Sequence, residues 1–111
     1  MKLVTAIVPE HVLDELRETL LSIGIKGMTI SPATHRSPEE IDAEFDRSRP
    51  RIFEDALEIR LETVVSATIV DAIVRAILAA CSEAAPGGIF ILVSDVIRGV
   101  RIRNSELVTE G

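Results

Sequence analysis

Two arginines that alternate near the carboxyl end are the residues best suited to bind a ligand. Arg101 and Arg103 are separated by Ile102, so an extended strand would place both guanidinium groups on one face. A guanidinium group binds phosphate or carboxylate oxygens through two parallel hydrogen bonds. The pattern predicts a small anion-binding patch, or else a pair of ion pairs with acidic side chains on a neighbouring strand.

A second candidate for phosphate binding is the glycine pair that follows Pro86. Gly87 and Gly88 offer bare backbone amides of the kind that cradle phosphate groups. A complete phosphate-loop pattern is missing, however, so the pair also fits a turn that ends a helix and needs a positive φ. Both interpretations remain open at this point.

Residues 35–55 form a charged segment that is poor in large apolar side chains. Acidic residues come first and basic ones follow, with Glu39, Glu40, Asp42, Glu44 and Asp46 preceding Arg47, Arg49 and Arg51. Ser37 and Pro38 suit the cap and the first position of a short helix. The segment is either the solvated face of that helix or an arm that docks on a partner protein.

The histidine and cysteine side chains give little indication of a metal site or a catalytic site. His11 and His35 lack a second ligand-type residue at a metal-binding spacing, so no metal site is predicted. Cys81 lies on the apolar stripe of a predicted helix, where a thiol packs as a small hydrophobe. The sequence contains no catalytic triad or nucleophile motif, and we therefore expect a binding protein and not an enzyme.

The overall composition narrows the class of molecule. A chain of 111 residues fits a single domain, residues 1–111, and 47% hydrophobic residues are enough for a core. The formal net charge of −6 argues against nucleic acid and anionic lipid as partners. The apolar runs are far shorter than the ~20 residues that cross a bilayer. The single cysteine and the absence of a signal-peptide pattern predict a cytoplasmic location.

The first half of the chain predicts a strand, a helix and a second strand. Residues 2–8 are rich in β-branched and apolar side chains, which favour a strand. Apolar residues recur at helical spacing over 13–23, and Gly24 follows as a stop signal. Residues 27–31 predict the second strand, which Pro32 should end.

The second half of the chain predicts the same order of elements, a strand, a helix and a strand. Apolar and charged residues alternate over 57–65, which predicts a strand with one buried face, and Ser66 or Thr68 can cap the apolar helix that follows. The continuous apolar run 89–93 is typical of a strand covered on both faces. Residues 100–103 predict an extra C-terminal strand. The order is that of an α+β ferredoxin-like fold, βαββαβ, with an antiparallel sheet whose open face favours oligomerisation.

Over almost its whole length the sequence resembles the P-II family of nitrogen and carbon signalling proteins. The resemblance is carried by the opening strand and helix and by the runs GIKGMT at 24–29, ETVV at 62–65, IVDAI at 69–73, DVIR at 95–98 and RIR at 101–103. It implies a homotrimer with adenine-nucleotide sites in the clefts between subunits. It also implies that the 35–55 loop contacts a target protein, such as a transporter or a metabolic enzyme.

The resemblance further implies which residues do this work. The ligand-binding residues would be Thr29, Val64, Gly87, Gly88, Arg101 and Arg103. The partner-binding residues of the loop would be Glu39, Glu40, Asp42, Arg47, Arg49 and Arg51.

The sequence also departs from the family pattern. The glycine-rich KGFGRQ run is replaced by THRSPE at 34–39, and Glu58 replaces a family lysine on the third strand. Because cations are missing, we expect ADP, AMP or a small anion to bind in preference to ATP. The chain contains no tyrosine, which excludes the family's tyrosine modification. The alternative is a trimeric scaffold that has lost nucleotide binding.

Overall fold

The computed structural model describes residues 1–36, 38–45, 57–83 and 88–109. Its strands are β1 (Lys2–Pro9), β2 (Thr29–Ala33), β3 (Glu58–Val65), β4 (Ile91–Asp95), β5 (Gly99–Val100) and β6 (Leu107–Val108). Its helices are α1 (Leu13–Ile23), α2 (Pro38–Phe45) and α3 (Val70–Glu83), and 3-10 turns at Glu10–Val12 and Ala67–Ile69 lead into α1 and α3. Across these ranges, no helix has the length and apolar character needed to span a membrane.

The four longer strands form one antiparallel sheet in the order β2-β3-β1-β4. Strand β1 lies in the centre, pairing with β3 from Lys2↔Val65 to Pro9↔Glu58 and with β4 on its other side. Helices α1 and α3 therefore each carry the chain past one strand before it rejoins the sheet. This is the ferredoxin-like arrangement, which confirms the predicted fold class.

Alternation along the strands separates a covered face from an open one. Val4, Ala6 and Val8 of β1 are buried together with Ile59 and Leu61 of β3. Helices α1 and α3 close this face with the buried side chains Leu16, Leu20, Ile73 and Ile77. Fully burying one such aliphatic side chain stabilises the fold by about 1.5–3 kcal/mol, so these residues set which sheet face the helices cover.

Strand β2 does not end where the sequence predicted. It continues through Pro32, which pairs with Ile59, to Ala33. Because β2 lies at the edge of the sheet, it can accept a residue without an amide proton. Pro32 is therefore part of the strand and does not terminate it.

Strand β4 also differs from its prediction. The apolar run 89–93 suggested a strand covered on both faces, yet β4 is the other edge strand of the sheet. Leu92 is 55% exposed within the single chain, and Val93 is exposed as well. The apolar character of this run therefore leaves a bare hydrophobic surface, which a monomer does not cover.

Candidate functional site

The structure brings together two of the ligand-binding residues that the sequence suggested. Thr29 and Val64 line one cavity of about 410 Å³, together with Leu3 and Glu62. The strand register explains the grouping, since Thr29 pairs with Glu62 and Leu3 pairs with Val64. Directly paired residues share a sheet face, and these four lie on the face that the helices leave open.

A buried threonine holds this cavity in shape. The Thr63 hydroxyl donates to the carbonyl oxygen of Gly27 at 2.7 Å, and Thr63 is almost fully buried. The bond ties the turn before β2 to β3, so that Thr29 begins its strand beside Val64. Sequence reasoning missed Thr63 because its position in an alternating apolar strand marks it only as core.

The Glu62 side chain of the cavity is held by two partners. Its Oε1 lies 2.8 Å from an Arg60 guanidinium nitrogen, and its Oε2 accepts a hydrogen bond from the Thr5 hydroxyl at 3.2 Å. Both partners fix the carboxylate in one orientation. The cavity thus offers a hydroxyl group and a carboxylate, which suit a ligand with N–H donors better than a phosphate.

Glu58 adds a further negative charge to this strand. It pairs with Ala33 and Pro9, so it belongs to the open face. One of its carboxylate oxygens, Oε2, is buried and has no hydrogen-bond partner within the described ranges. A carboxylate here opposes the binding of a polyphosphate nearby, because like charges repel.

Gly88 lies at a different place, where residues 88–90 pass the end of β1. Its φ is +90°, and an added Cβ would meet the Cys81 Sγ at 3.4 Å and the Ile7 oxygen at 3.5 Å. The amide of Ile89 donates to that same Ile7 oxygen at 2.9 Å. The positive φ fits the turn interpretation of this glycine, while Gly87 lies outside the described residues.

A second cavity of about 480 Å³ opens beside Gly88. Its lining includes the aliphatic side chains of Ile7, Leu78 and Ile89 and the ring of Phe90, and none of the described lining residues is charged. Cys81 also borders it, and burial raises the pKa of its thiol. A phosphate group placed here would find no cation in the described part of the same chain.

The predicted terminal strand is present only as a short hairpin, and the arginines lie in its turn. After β5 the Arg101 amide donates to Glu106 O, and the Ser105 amide donates to Arg101 O, both at 2.8 Å. The Asn104 side chain accepts from the Glu106 amide, and Ser105 has a φ of +58°. The prediction of a strand over 100–103 was wrong because these local turn bonds override the alternation.

Both arginines are nevertheless available to a ligand. Arg101 and Arg103 are exposed. Neither side chain forms a hydrogen bond or ion pair with another described residue. The alternative of pairing with a neighbouring strand is thus not found within the described ranges. Neither the arginines nor Gly88 line the Thr29–Val64 cavity, so one chain presents the candidate residues on separate surfaces.

The charged segment contains the predicted short helix, α2, which starts at Pro38. Glu39 and Asp42 are exposed on it, and Glu40 lies on the same helix. Ser37 and the three loop arginines, Arg47, Arg49 and Arg51, lie outside the described residues. His35, just before α2, contacts the Phe90 ring edge-on, with centroids 6.3 Å apart, a contact that no sequence signal predicts.

Metal ligands were not predicted from the sequence. In the part of the chain that the structure describes, no three His, Cys, Asp or Glu side chains are grouped so as to hold a metal ion.

Comparison with known proteins places this chain in a family. The family model described as Nitrogen regulatory protein P-II matches residues 1–106. The nitrogen regulatory protein P-II of Rhizobium etli is 32% identical over 110 residues, 99% of this chain and 98% of that protein. The nitrogen regulatory protein P-II of Klebsiella oxytoca and the nitrogen regulatory protein P-II 1 of Escherichia coli are each 32% identical over 106 residues. Each match covers 96% of this chain and 95% of the relative. The chain belongs to the nitrogen regulatory protein P-II family, and it is a P-II-like regulatory protein.

Proposed function

We propose that this P-II-like protein is a homotrimer that binds ADP, AMP or a small anion between its subunits and regulates a partner protein through the 35–55 loop. The observation that carries the proposal is the exposed pair Arg101 and Arg103, which have no acidic partner among the described residues. Two guanidinium groups on one turn suit an anionic ligand. Family membership over residues 1–106 supports the regulatory role.

The preference for fewer phosphates follows from the charges around the open face. Glu58 and Glu62 both carry carboxylates on β3, and Arg60 is already engaged by Glu62. Each additional phosphate brings more negative charge toward these carboxylates. ADP or AMP therefore suits the site better than ATP.

Trimer formation is supported by two features of the single chain. Edge strand β4 leaves Leu92 and Val93 exposed, and a bare hydrophobic surface of this kind marks an interaction site. The candidate ligand-binding residues lie on separate surfaces, so a neighbouring subunit could complete a site that one chain leaves open. Light scattering coupled to size-exclusion chromatography measures the subunit number directly, and a monomer would contradict this part of the proposal.

Thermal melting with ATP, ADP, AMP, cyclic AMP and bicarbonate tests ligand binding. A ligand at a hundredfold excess over its Kd stabilises the native state by about 2.7 kcal/mol. We expect the largest shift of Tm with ADP or AMP. A larger shift with ATP would contradict the predicted preference.

The arginine variants locate the site. Replacing both Arg101 and Arg103 with Ala should abolish the ligand-dependent shift while the trimer persists. Arg75→Ala is a control, since it removes one exposed positive charge from α3 and leaves the hairpin unchanged. Unchanged ligand affinity in the double variant would overturn the site assignment.

A trimeric scaffold without a ligand is the second candidate function. Within the described ranges, Glu58 Oε2 has no hydrogen-bond partner and the lining of the cavity beside Gly88 carries no charge, and both observations favour it. It predicts no Tm shift with any of the five compounds, together with partner binding that survives in the Arg101 and Arg103 variants.

A further inference from the structure

The contact between His35 and Phe90 joins two parts of the chain that are far apart in sequence. The rings meet edge to face, with an interplanar angle of 87° and centroids 6.3 Å apart. This is a favoured geometry for an aromatic pair. Phe90 remains 39% exposed, so its ring lies at the surface and not in the core.

The backbone of Phe90 is firmly held. Its carbonyl oxygen accepts from the Ile7 amide at 3.2 Å, and the preceding Ile89 amide donates to Ile7 O at 2.9 Å. Gly88, just before them, fits against Cys81 and Ile7 in a conformation that other residues rarely adopt. The backbone of Phe90 is therefore anchored by hydrogen bonds to β1, a central strand of the sheet.

Helix α2, by contrast, is a short element. It has eight residues, and isolated helices shorter than about 12–15 residues are marginal in water. Its apolar residue Ile41 is 42% exposed and is therefore not a core side chain. Residues 34–36 precede it in the chain, and His35 lies only three residues before its first residue, Pro38.

The two ends of the loop are anchored differently. At the carboxyl end, Leu57 O accepts a backbone hydrogen bond from Glu10 at 2.9 Å. At the amino end, the sheet pairing stops at Ala33, and His35 then reaches Phe90. Both anchors converge on the end of β1, where residues 88–90 also attach.

We propose that Phe90 is a positioning residue for α2: its ring holds His35, sets how the chain enters α2 and couples the loop to residues 88–90. A ligand or subunit that displaces the Phe90 ring releases α2, and one that packs against the ring holds α2 in place. The consequence for partner binding rests on the proposed function, but the coupling itself does not.

Hydrogen exchange with millisecond labelling of the full-length protein, without nucleotide, tests the contact. Phe90→Leu keeps an apolar side chain and removes the ring, and His35→Ala removes the imidazole. We expect each variant to raise the exchange rate of the α2 amides roughly two- to tenfold, the range that an aromatic pair supplies. The double variant should add nothing further, because both changes break one contact.

Conservative variants separate positioning from a general loss of stability. His35→Phe and Phe90→Tyr retain an aromatic pair and should restore slow exchange in α2. The amides of β1 should exchange alike in all variants, which shows that the sheet is intact. Unchanged α2 exchange in Phe90→Leu, or additive effects in the double variant, would overturn the proposal.

A final comparison with ADP distinguishes this proposal from the proposed function. If ADP binds, it should change α2 exchange in the wild-type protein and not in Phe90→Leu. If ADP binds without changing α2 exchange, the coupling to the ligand is wrong although the site is right. If ADP does not bind, and the single and double variants still show the same increase in α2 exchange, the proposed nucleotide binding is wrong and the positioning role of Phe90 stands.

Discussion

Thr63 donates a hydrogen bond from its hydroxyl to the carbonyl oxygen of Gly27 at 2.7 Å, and Thr63 is only 3% exposed. This bond ties β3 to the turn before β2 and thereby sets the position of Thr29 in the open-face cavity. A hydrogen bond made by a buried side chain thus supports one wall of the candidate site from the covered side of the sheet.

Replacing Thr63 with Val should weaken the fold and the cavity together. Valine has nearly the same shape but cannot donate to Gly27 O, so we expect a loss of about 0.5–1.5 kcal/mol in the free energy of unfolding. Urea denaturation measures this loss. Thr63→Ser keeps the hydroxyl and serves as the control; equal losses in both variants would show that packing, and not the hydrogen bond, is responsible.

The helix-covered core gives a second prediction through two adjacent leucines of α1. Leu20 is fully buried, whereas Leu21 is 54% exposed. We expect Leu20→Ala to cost about 2–5 kcal/mol, because it removes buried apolar contacts and leaves a cavity. Leu21→Ala should stay within about 0.5 kcal/mol of the wild type. Denaturant midpoints compare the two, and a large loss in Leu21→Ala would reveal a subunit contact on this face of α1.

The sequence predicted the fold because its local patterns agreed with the long-range pairing. Alternation over 57–65 matched the observed β3, in which Ile59 and Leu61 are buried while Arg60 is exposed. Pro32 misled the prediction because the penalty for a missing amide depends on whether the strand is central or at an edge. That position follows from the sheet order and cannot be read from the residue itself.

The candidate site was less predictable than the fold. Thr29 and Val64 were named by family resemblance, and the register then explained why they share a cavity. Arg101 and Arg103 alternate as in a strand, but the Asn104 side chain makes a local turn bond that overrides the pattern. The His35–Phe90 contact has no local signal, because it depends on how separate segments meet at the end of β1.

Gly88 provides a third prediction, based on its backbone conformation. Its φ of +90° is unfavourable for other residues, although a new Cβ would make only ordinary van der Waals contacts with Cys81 and Ile7. Gly88→Ala should therefore destabilise the protein by more than about 1 kcal/mol. Gly27→Ala is the control, because an added Cβ there meets no atom of the described residues within 4 Å. Thermal melting compares the Tm values of the two variants, and equal values would contradict the argument that Gly88→Ala strains the backbone.

The pH dependence of stability gives a fourth prediction, at the end of the sheet where β1 meets β4. The hydrogen bond and charge of Lys2 hold the pKa of Asp95 below its ordinary value. A carboxyl group with a lowered pKa in the folded state binds its proton more weakly there than in the unfolded chain. Its stabilising contribution is therefore present above the unfolded pKa of about 3.9 and is lost as the pH falls through the lower folded value.

Asp95→Asn removes this contribution and should make the variant slightly less stable than the wild type at pH 7. The difference should be small, because the Asp95 side chain is 77% exposed and salt screens such pairs. It should shrink as the pH falls below about 4 and as salt is added, since both conditions weaken the same pair. Urea midpoints of the two proteins between pH 2 and pH 7 measure it. A difference that stays constant across this range would show that the amide perturbs the strand end by packing and not by charge.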